Sequence, residues 1–345
     1  VRVAAVTGPE QVELVDRPEP VAGPGTVVVE VAYCGVSGAD LDAWRAGRTH
    51  PAAIFGHEWV GRVVAVGEGT PERFEGERVV PGALPPCGRC ALCRGGDPAH
   101  CLTALEAALG LGPLAPDHGG FAPRVLVEGR RLARLPDGVD DLDGALAGPA
   151  SVAAHAVGAG GQRLGDLVAV IGAGTIGLLV AEFARLAGAR KVVAVEPDPD
   201  RRELACTLGA DAAFAPGRGA RRHLQELSSG LGADIVYECS GGSEALGHAI
   251  ELARRGGRVA VLGVGPGPLT VDPIAWMLKE LTVTTHVGFG PEELRRTLEL
   301  LAEDRLRVDR LHRGRSISLS ELPGALAALA AGRGPAVKTL VDPRP

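Results

Sequence analysis

Residues 167 to 189 read LVAVIGAGTIGLLVAEFARLAGA, and this stretch limits the fold more than any other. An unbroken apolar strand meets Gly172, Gly174 and Gly177 in the pattern G-x-G-x-x-G and continues as a run of helical period. A strand apolar on both faces has to be covered on both, which is the situation of a parallel sheet with helices on either side. The first glycine permits a tight turn, the second lets backbone approach a pyrophosphate, and the third lets helix pack on strand. Thr175 and Ile176 stand in the first turn of that helix, where backbone N–H groups face an anionic ligand. The next strand, KVVAVEP, ends on Glu196, nineteen residues past Gly177. A carboxylate there accepts both hydroxyls of an adenine ribose and repels a 2′-phosphate, so NAD(H) is favoured over NADP(H). Arg201 and Arg202 are close enough in sequence to keep the phosphorylated form in play.

The alternation of strand, turn and helix continues through DIVYECSG and GGRVAVLGVG, which predicts an α/β domain with a doubly wound parallel sheet over residues 152–286. Residues 1 to about 136 have a different texture. Short alternating strands, such as 26–33 and 58–66, are broken by Gly and Pro and predict a small, partly open β-barrel. After Thr285 a helix is expected at 292–302, then an amphipathic segment at 319–331, then AVKTLVDP as a strand returning to the first domain. The expected division is therefore 1–151 with 287–345, and 152–286 between them. A chain of 345 residues suits two cores better than one.

Charge excludes some partners. The formal net charge is −6, with Lys and Arg spread along the chain, so there is no basic stripe for a phosphate backbone and nucleic acid is not an expected partner. The longest apolar run, 167–181, is too short to span a bilayer and contains the glycine turn, so no membrane is expected. Val1 opens a strand-like segment rather than a signal peptide, which points to the cytoplasm.

Four of the seven cysteines crowd into CGRCALCRGGDPAHC as Cys87, Cys90, Cys93 and Cys101. That spacing, C-x2-C-x2-C-x7-C, suits four thiolates around one Zn²⁺ in a lobe of about residues 85–102. A closed site of four thiolates leaves no position for substrate, so its role is to fold a lobe with few apolar residues of its own. Cys34, Cys206 and Cys239 stand alone.

Taken in order, the barrel, the GHEWVGRVVAVG stretch at 56–67, the cysteine lobe, HGGFAPRVLV at 118–127, the glycine turn and GGRVAVLG at 256–263 resemble the medium-chain dehydrogenase/reductase family, in its zinc-type alcohol and polyol dehydrogenase branch. The resemblance implies a GroES-like barrel domain with a Rossmann domain, hydride transfer to or from a nicotinamide, a small-molecule substrate, and a homodimer or homotetramer. It implies a cofactor contact from Lys338. It also implies a catalytic zinc, and here the chain departs from the pattern. The first ligand position, a Cys in G-V-C-x-T-D-L-H, is Ser37 in GVSGADLD; the relay hydroxyl is Ala39 and a downstream His is Asp42. The second position is intact as His57, with Glu58 beside it and Asp40 matching the acid that supports the His. The third, a Glu in polyol dehydrogenases, is Gly148. Cys34 lies three residues before Ser37 and would share its face if the segment were helical.

These departures lead to the expectation that the catalytic zinc is absent, and that the enzyme reduces an activated C=C, C=N or C=O bond. Ser37, His57, Glu58 and Asp40 are then the polar groups of the site. His155 and His286 are further candidates for the acid. The alternatives are a zinc-dependent alcohol or cyclitol dehydrogenase with a rearranged metal site, and a non-redox or non-catalytic dinucleotide-binding protein.

Overall fold

The computed structural model describes residues 1–47, 55–70, 75–104, 118–263, 265, 267, 271–334 and 337–345. The chain divides into two compact units, Val1–Gly148 with Gly290–Pro345, and Pro149–Phe289.

The first unit begins with the hairpin β1 (Arg2–Gly8) and β2 (Gln11–Asp16). Its main sheet is built from β3 (Thr26–Gly35), β4 (Glu58–Val66), β5 (Arg78–Pro81), β6 (Arg124–Glu128) and β7 (Leu132–Arg134). β3 is the central strand, antiparallel to both β4 and β6. Its valines 27, 29 and 31 point into one core with Cys34, Trp44, Trp59 and Phe121. Val28, on the opposite face, is buried as well, while Glu30 beside it faces solvent.

The second unit holds β8 (Leu167–Ile171), β9 (Lys191–Val195), β10 (Ala212–Phe214), β11 (Ala233–Glu238), β12 (Ala253–Val261) and β13 (Thr282–Thr285). All pair in parallel, in the order β10-β9-β8-β11-β12-β13. The order reverses on either side of β8, which makes the carboxyl end of β8 the switch point where such sheets bind ligands. β8 is buried at every residue, as its unbroken apolar sequence requires.

Back in the first unit, β14 (Ser316–Ser318) and β15 (Leu340–Asp342) extend the main sheet, β15 pairing with the end of β3. The C-terminal segment therefore returns to the barrel; Ala336, the start of the expected strand, lies outside the described residues. The expected helices occupy Pro291–Ala302 and Leu322–Ala330. Among the described residues no helix is long and apolar enough to cross a membrane.

Two glycines show why the sequence is fixed where it is. A β-carbon on Gly177 would overlap the carbonyl oxygen of Gly172, and one on Gly67 would overlap that of Gly23. Gly177→Ala should therefore destabilise the protein by about 1–3 kcal/mol through overpacking, read as a lower denaturation midpoint, and should weaken dinucleotide binding in the folded fraction.

Candidate active site

The glycine turn is built by β8 and the helix Thr175–Leu186, whose N-cap is Gly174, a residue with no side chain to cover the first turn. Gly172 takes φ +89°, which glycine tolerates and other residues resist. Glu196 is buried beside this turn. Its Oε2 accepts from the Ala173 N–H at 2.7 Å and its Oε1 from the Asp198 N–H at 3.0 Å. The carboxylate is thus fixed at the switch point before any ligand arrives. Arg202 turns its guanidinium to the backbone carbonyls of Glu196 and Pro197, at 2.8 and 2.6 Å, while Arg201 lies in the helix capped by Asp198.

Sequence reasoning missed the acid on the other side of the turn. Glu238, at the end of β11, is buried and its Oε1 accepts from Ser240 N–H at 2.7 Å, Ser240 Oγ at 2.6 Å and Gly241 N–H at 3.0 Å. Glu238 shapes the loop that packs on Gly172, where a β-carbon would meet Ser240. The signal was present in the strand-end sequence ECSGG, which pairs an acid with a small hydroxyl two residues on.

In the barrel unit the expected catalytic residues fall into two polar knots. Ser37 is the N-cap of the helix Gly38–Ala46, and its backbone and hydroxyl both donate to Asp40 Oδ2 at 2.7 Å, while the Asp40 N–H donates back to Ser37 Oγ at 3.1 Å. Asp40 Oδ1 accepts from the Gly56 N–H at 2.8 Å, joining this helix to the segment that carries His57. Asp40 is fully buried, and burial pushes its carboxyl up, with His57, the Gly56 N–H and Ser37 pulling it back. His57 itself is exposed to solvent. In the second knot Lys338 is buried, forms an ion pair with Glu58 and donates to Val36 O at 2.9 Å. The structure thus brings Ser37, Asp40 and His57 together, and turns Glu58 toward Lys338, a pairing across 280 residues of sequence.

Cys34 does not share a helical face with Ser37. It lies on β3 and is fully buried in the barrel core, where burial and then Asp40 raise its thiol pKa. Gly148 offers no donor. At the three positions where the family pattern places ligands, the chain presents Ser37, His57 and Gly148, and the Ser37 hydroxyl is committed to Asp40. These side chains do not fit the usual three-ligand catalytic zinc site.

The cysteine lobe fits its metal. The sulfurs of Cys87, Cys90, Cys93 and Cys101 all lie within 4.8 Å of one another. Backbone N–H groups point at them: Cys87 N–H at Cys101 Sγ, Cys90 N–H at Cys87 Sγ, and Cys93 N–H at Cys90 Sγ, at 3.2 to 3.4 Å. The Arg89 and Cys90 N–H groups hold the Cys87 thiol down to about 6. Cys93 is pushed up to about 12, by burial first and then by Cys90, and a bound cation would favour its thiolate.

Comparison with known proteins agrees with this arrangement. Residues 23–137 match the family model described as "Alcohol dehydrogenase GroES-like domain", and residues 175–303 match "Zinc-binding dehydrogenase". The chain is 31% identical to a probable D-xylulose reductase A of Aspergillus terreus, over 97% of this chain and 96% of that protein. It is 32% identical to a sorbitol dehydrogenase of Halalkalibacterium halodurans, over 95% and 94%. The crystal structure of 2R,3R-butanediol dehydrogenase from Bacillus subtilis superposes with a TM-score of 0.83 at 29% identity, covering 99% of each chain. The protein belongs to the medium-chain, zinc-type alcohol and polyol dehydrogenases, and is an NAD(P)-dependent member of them.

Two outcomes are expected at these sites. Cys90→Ser should lower the melting temperature and the zinc content, while the folded fraction keeps its affinity for NAD(H). Asp40→Ala should cost about 1–3 kcal/mol in chemical denaturation, because the buried Gly56 N–H loses its acceptor.

Proposed function

We propose that the protein interconverts a small polyhydroxylated secondary alcohol and its ketone, with NAD(H) as the hydride carrier. The observation that carries this reading is the carboxylate of Glu196 fixed against the glycine turn in a chain whose whole length matches alcohol and polyol dehydrogenases. The names of the matched proteins refer to a ketose, a polyol and a diol, which supports the substrate class. The family match favours this reading over the reduction of an activated C=C, C=N or C=O bond without a catalytic zinc that was expected from the sequence.

In this reading Glu196 receives the adenine ribose, and Gly172, Gly174, Thr175, Ile176 and Gly177 receive the pyrophosphate at the helix N-terminus. The Glu196 carboxylate is an acceptor-only group, and with one lone pair of each oxygen given to Ala173 and Asp198 each oxygen keeps another for a ribose hydroxyl, while its charge opposes a 2′-phosphate. A dinucleotide held by these residues would supply the hydride acceptor for the carbinol carbon. His57 is the exposed polar group that meets substrate, and Asp40, bonded to Ser37 and to the Gly56 N–H, anchors the segment that carries it. Glu58 and Lys338 form a buried pair, and a cofactor contact from Lys338 belongs to the same reading. The four-cysteine lobe holds one structural zinc. Of the family's three ligand positions, His57 alone bears a donor of the usual kind. The homodimer or homotetramer also belongs to this reading: β13 closes one edge of its sheet, and the helix Pro273–Lys279 leading into it exposes Ile274, Met277 and Leu278.

Three measurements test the reading. A panel of polyols and vicinal diols with NAD⁺ should give NADH, where enones and imines with NADH should not react; the opposite pattern overturns it. Glu196→Ser should weaken NAD(H) binding and narrow or invert the preference over NADP(H), and a parent that already prefers NADPH would contradict the assignment. Ser37→Cys combined with Gly148→Glu should raise the zinc held per chain after gel filtration, because both restore donors at the family's positions.

A further inference from the structure

The residues just beyond the strands of the parallel sheet form a continuous row. Gly172 N–H donates to Val195 O at 2.8 Å, Cys239 N–H to Ile171 O at 2.9 Å, Leu262 N–H to Glu238 O at 2.8 Å, and His286 N–H to Val261 O at 3.1 Å. The row therefore runs from the end of β9 through β8, β11 and β12 to β13, along the carboxyl edge that binds ligands in such sheets. Glu196 lies on the β9 side of the glycine turn. A dinucleotide whose adenine ribose is held there and whose pyrophosphate lies over β8 has to extend its other half over β11, β12 and β13. With strands about 4.8 Å apart, His286 stands about 14 Å along the row from Gly172.

His286 is accompanied. Its ring packs edge-on against that of His155, on the helix Ala147–Ala159, with centroids 5.7 Å apart and planes at 72°. Its Nε2 lies 3.0 Å from Thr284 Oγ1. With Nε2–H given to that hydroxyl, Nδ1 carries the lone pair and is a proton acceptor. From β13 the ring meets the Thr284 hydroxyl, from β12 the backbone of Val261 meets its own, and the titratable group facing it is His155. The family's relay hydroxyl is absent, since that position is Ala39.

We propose that His286 is the base that takes the hydroxyl proton of the alcohol at the nicotinamide end of the site, and that His155 is a positioning residue that orients its ring. The inference rests on the dehydrogenase reading above. The carbinol C–H bond breaks with its electron pair passing to the nicotinamide, the O–H bond breaks with its proton passing to His286 Nδ1, and the C=O bond forms. The products are ketone, NADH and a His286 imidazolium that returns its proton to solvent. Burial and the neighbouring His155 both hold the His286 imidazolium below its ordinary range, so the ring is neutral and ready at neutral pH. Oxidation should fall away as pH drops through that lowered value.

The test combines kinetics with a spectroscopic arm that needs no substrate. His286→Gln should lower kcat for alcohol oxidation by about 100-fold or more, the usual scale for a positioned base, and flatten the acidic limb of its pH profile. NAD⁺ affinity should stay within about twofold. His155→Asn should move the acidic limb to higher pH, because a neighbour that opposes protonation has gone, and should lower kcat above the limb by a smaller factor than His286→Gln, because the ring loses its edge-on partner. A merely structural role for His155 would leave the limb in place. In the parent, the imidazole C–H resonances of His155 and His286 should shift on adding NAD⁺ and stay unmoved with ADP-ribose, which lacks the nicotinamide. A His286→Gln variant with parental rate and pH profile overturns the proposal, as do resonances that ignore NAD⁺ or respond equally to ADP-ribose. If no alcohol is oxidised by the parent, the dehydrogenase reading fails, and the NAD⁺ against ADP-ribose comparison still decides whether the histidine pair stands at the nicotinamide end.

Discussion

The close approach of backbone to backbone at the end of β8 is the constraint on which the dinucleotide-binding unit depends. Gly172 turns with φ +89°, and the helix that follows returns so tightly that Gly177 has no space for a side chain. Once this turn is set, Ala173 presents its N–H to Glu196, and the Cys239 N–H can close on Ile171 O. The edge that receives a ligand is therefore assembled mostly from backbone groups, which have fixed directions and no rotamers to freeze.

The barrel unit solves a different problem, since it has to carry charges inside. Asp40 is fully buried, and it survives there by accepting from two backbone N–H groups and a hydroxyl. Those bonds tie the first turn of one helix to the segment bearing His57. Lys338 and Glu58 bind the C-terminal return to the start of β4 in the same manner. A buried ion pair adds little net stability over apolar packing, yet removing one partner strands the other, so such pairs fix which segments lie together. Gly35 shows how tight the fit is: a β-carbon there would crowd both Lys338 and Glu58.

The cysteine lobe depends on neither. Apart from Cys101 its ligands are only partly buried, so the lobe lacks a core to hold it, and the convergence of four sulfurs on one point supplies the missing free energy when a metal binds. The loss of family ligands at Ser37 and Gly148 leaves this lobe unaffected, because its ligands come from one continuous stretch of chain.

Much of this was legible in the sequence wherever the governing distances are short. The unbroken apolar β8 and its glycines define the parallel sheet, the spacing of Cys87, Cys90, Cys93 and Cys101 defines the lobe, and alternating valines define β3 and β4, since each depends on residues a few positions apart. Ser37 is the instructive case: the sequence showed a missing thiolate, while the structure shows an N-cap locked to Asp40, a role also written locally in the Ser-x-x-Asp spacing. Tertiary structure alone decided the fate of Cys34, which the end of β3 carries into the core, the pairing of Lys338 with Glu58, and the meeting of His155 with His286. These outcomes join segments separated by tens to hundreds of residues, and local periodicity holds no information on which distant side chain will satisfy a buried charge or stack on a ring.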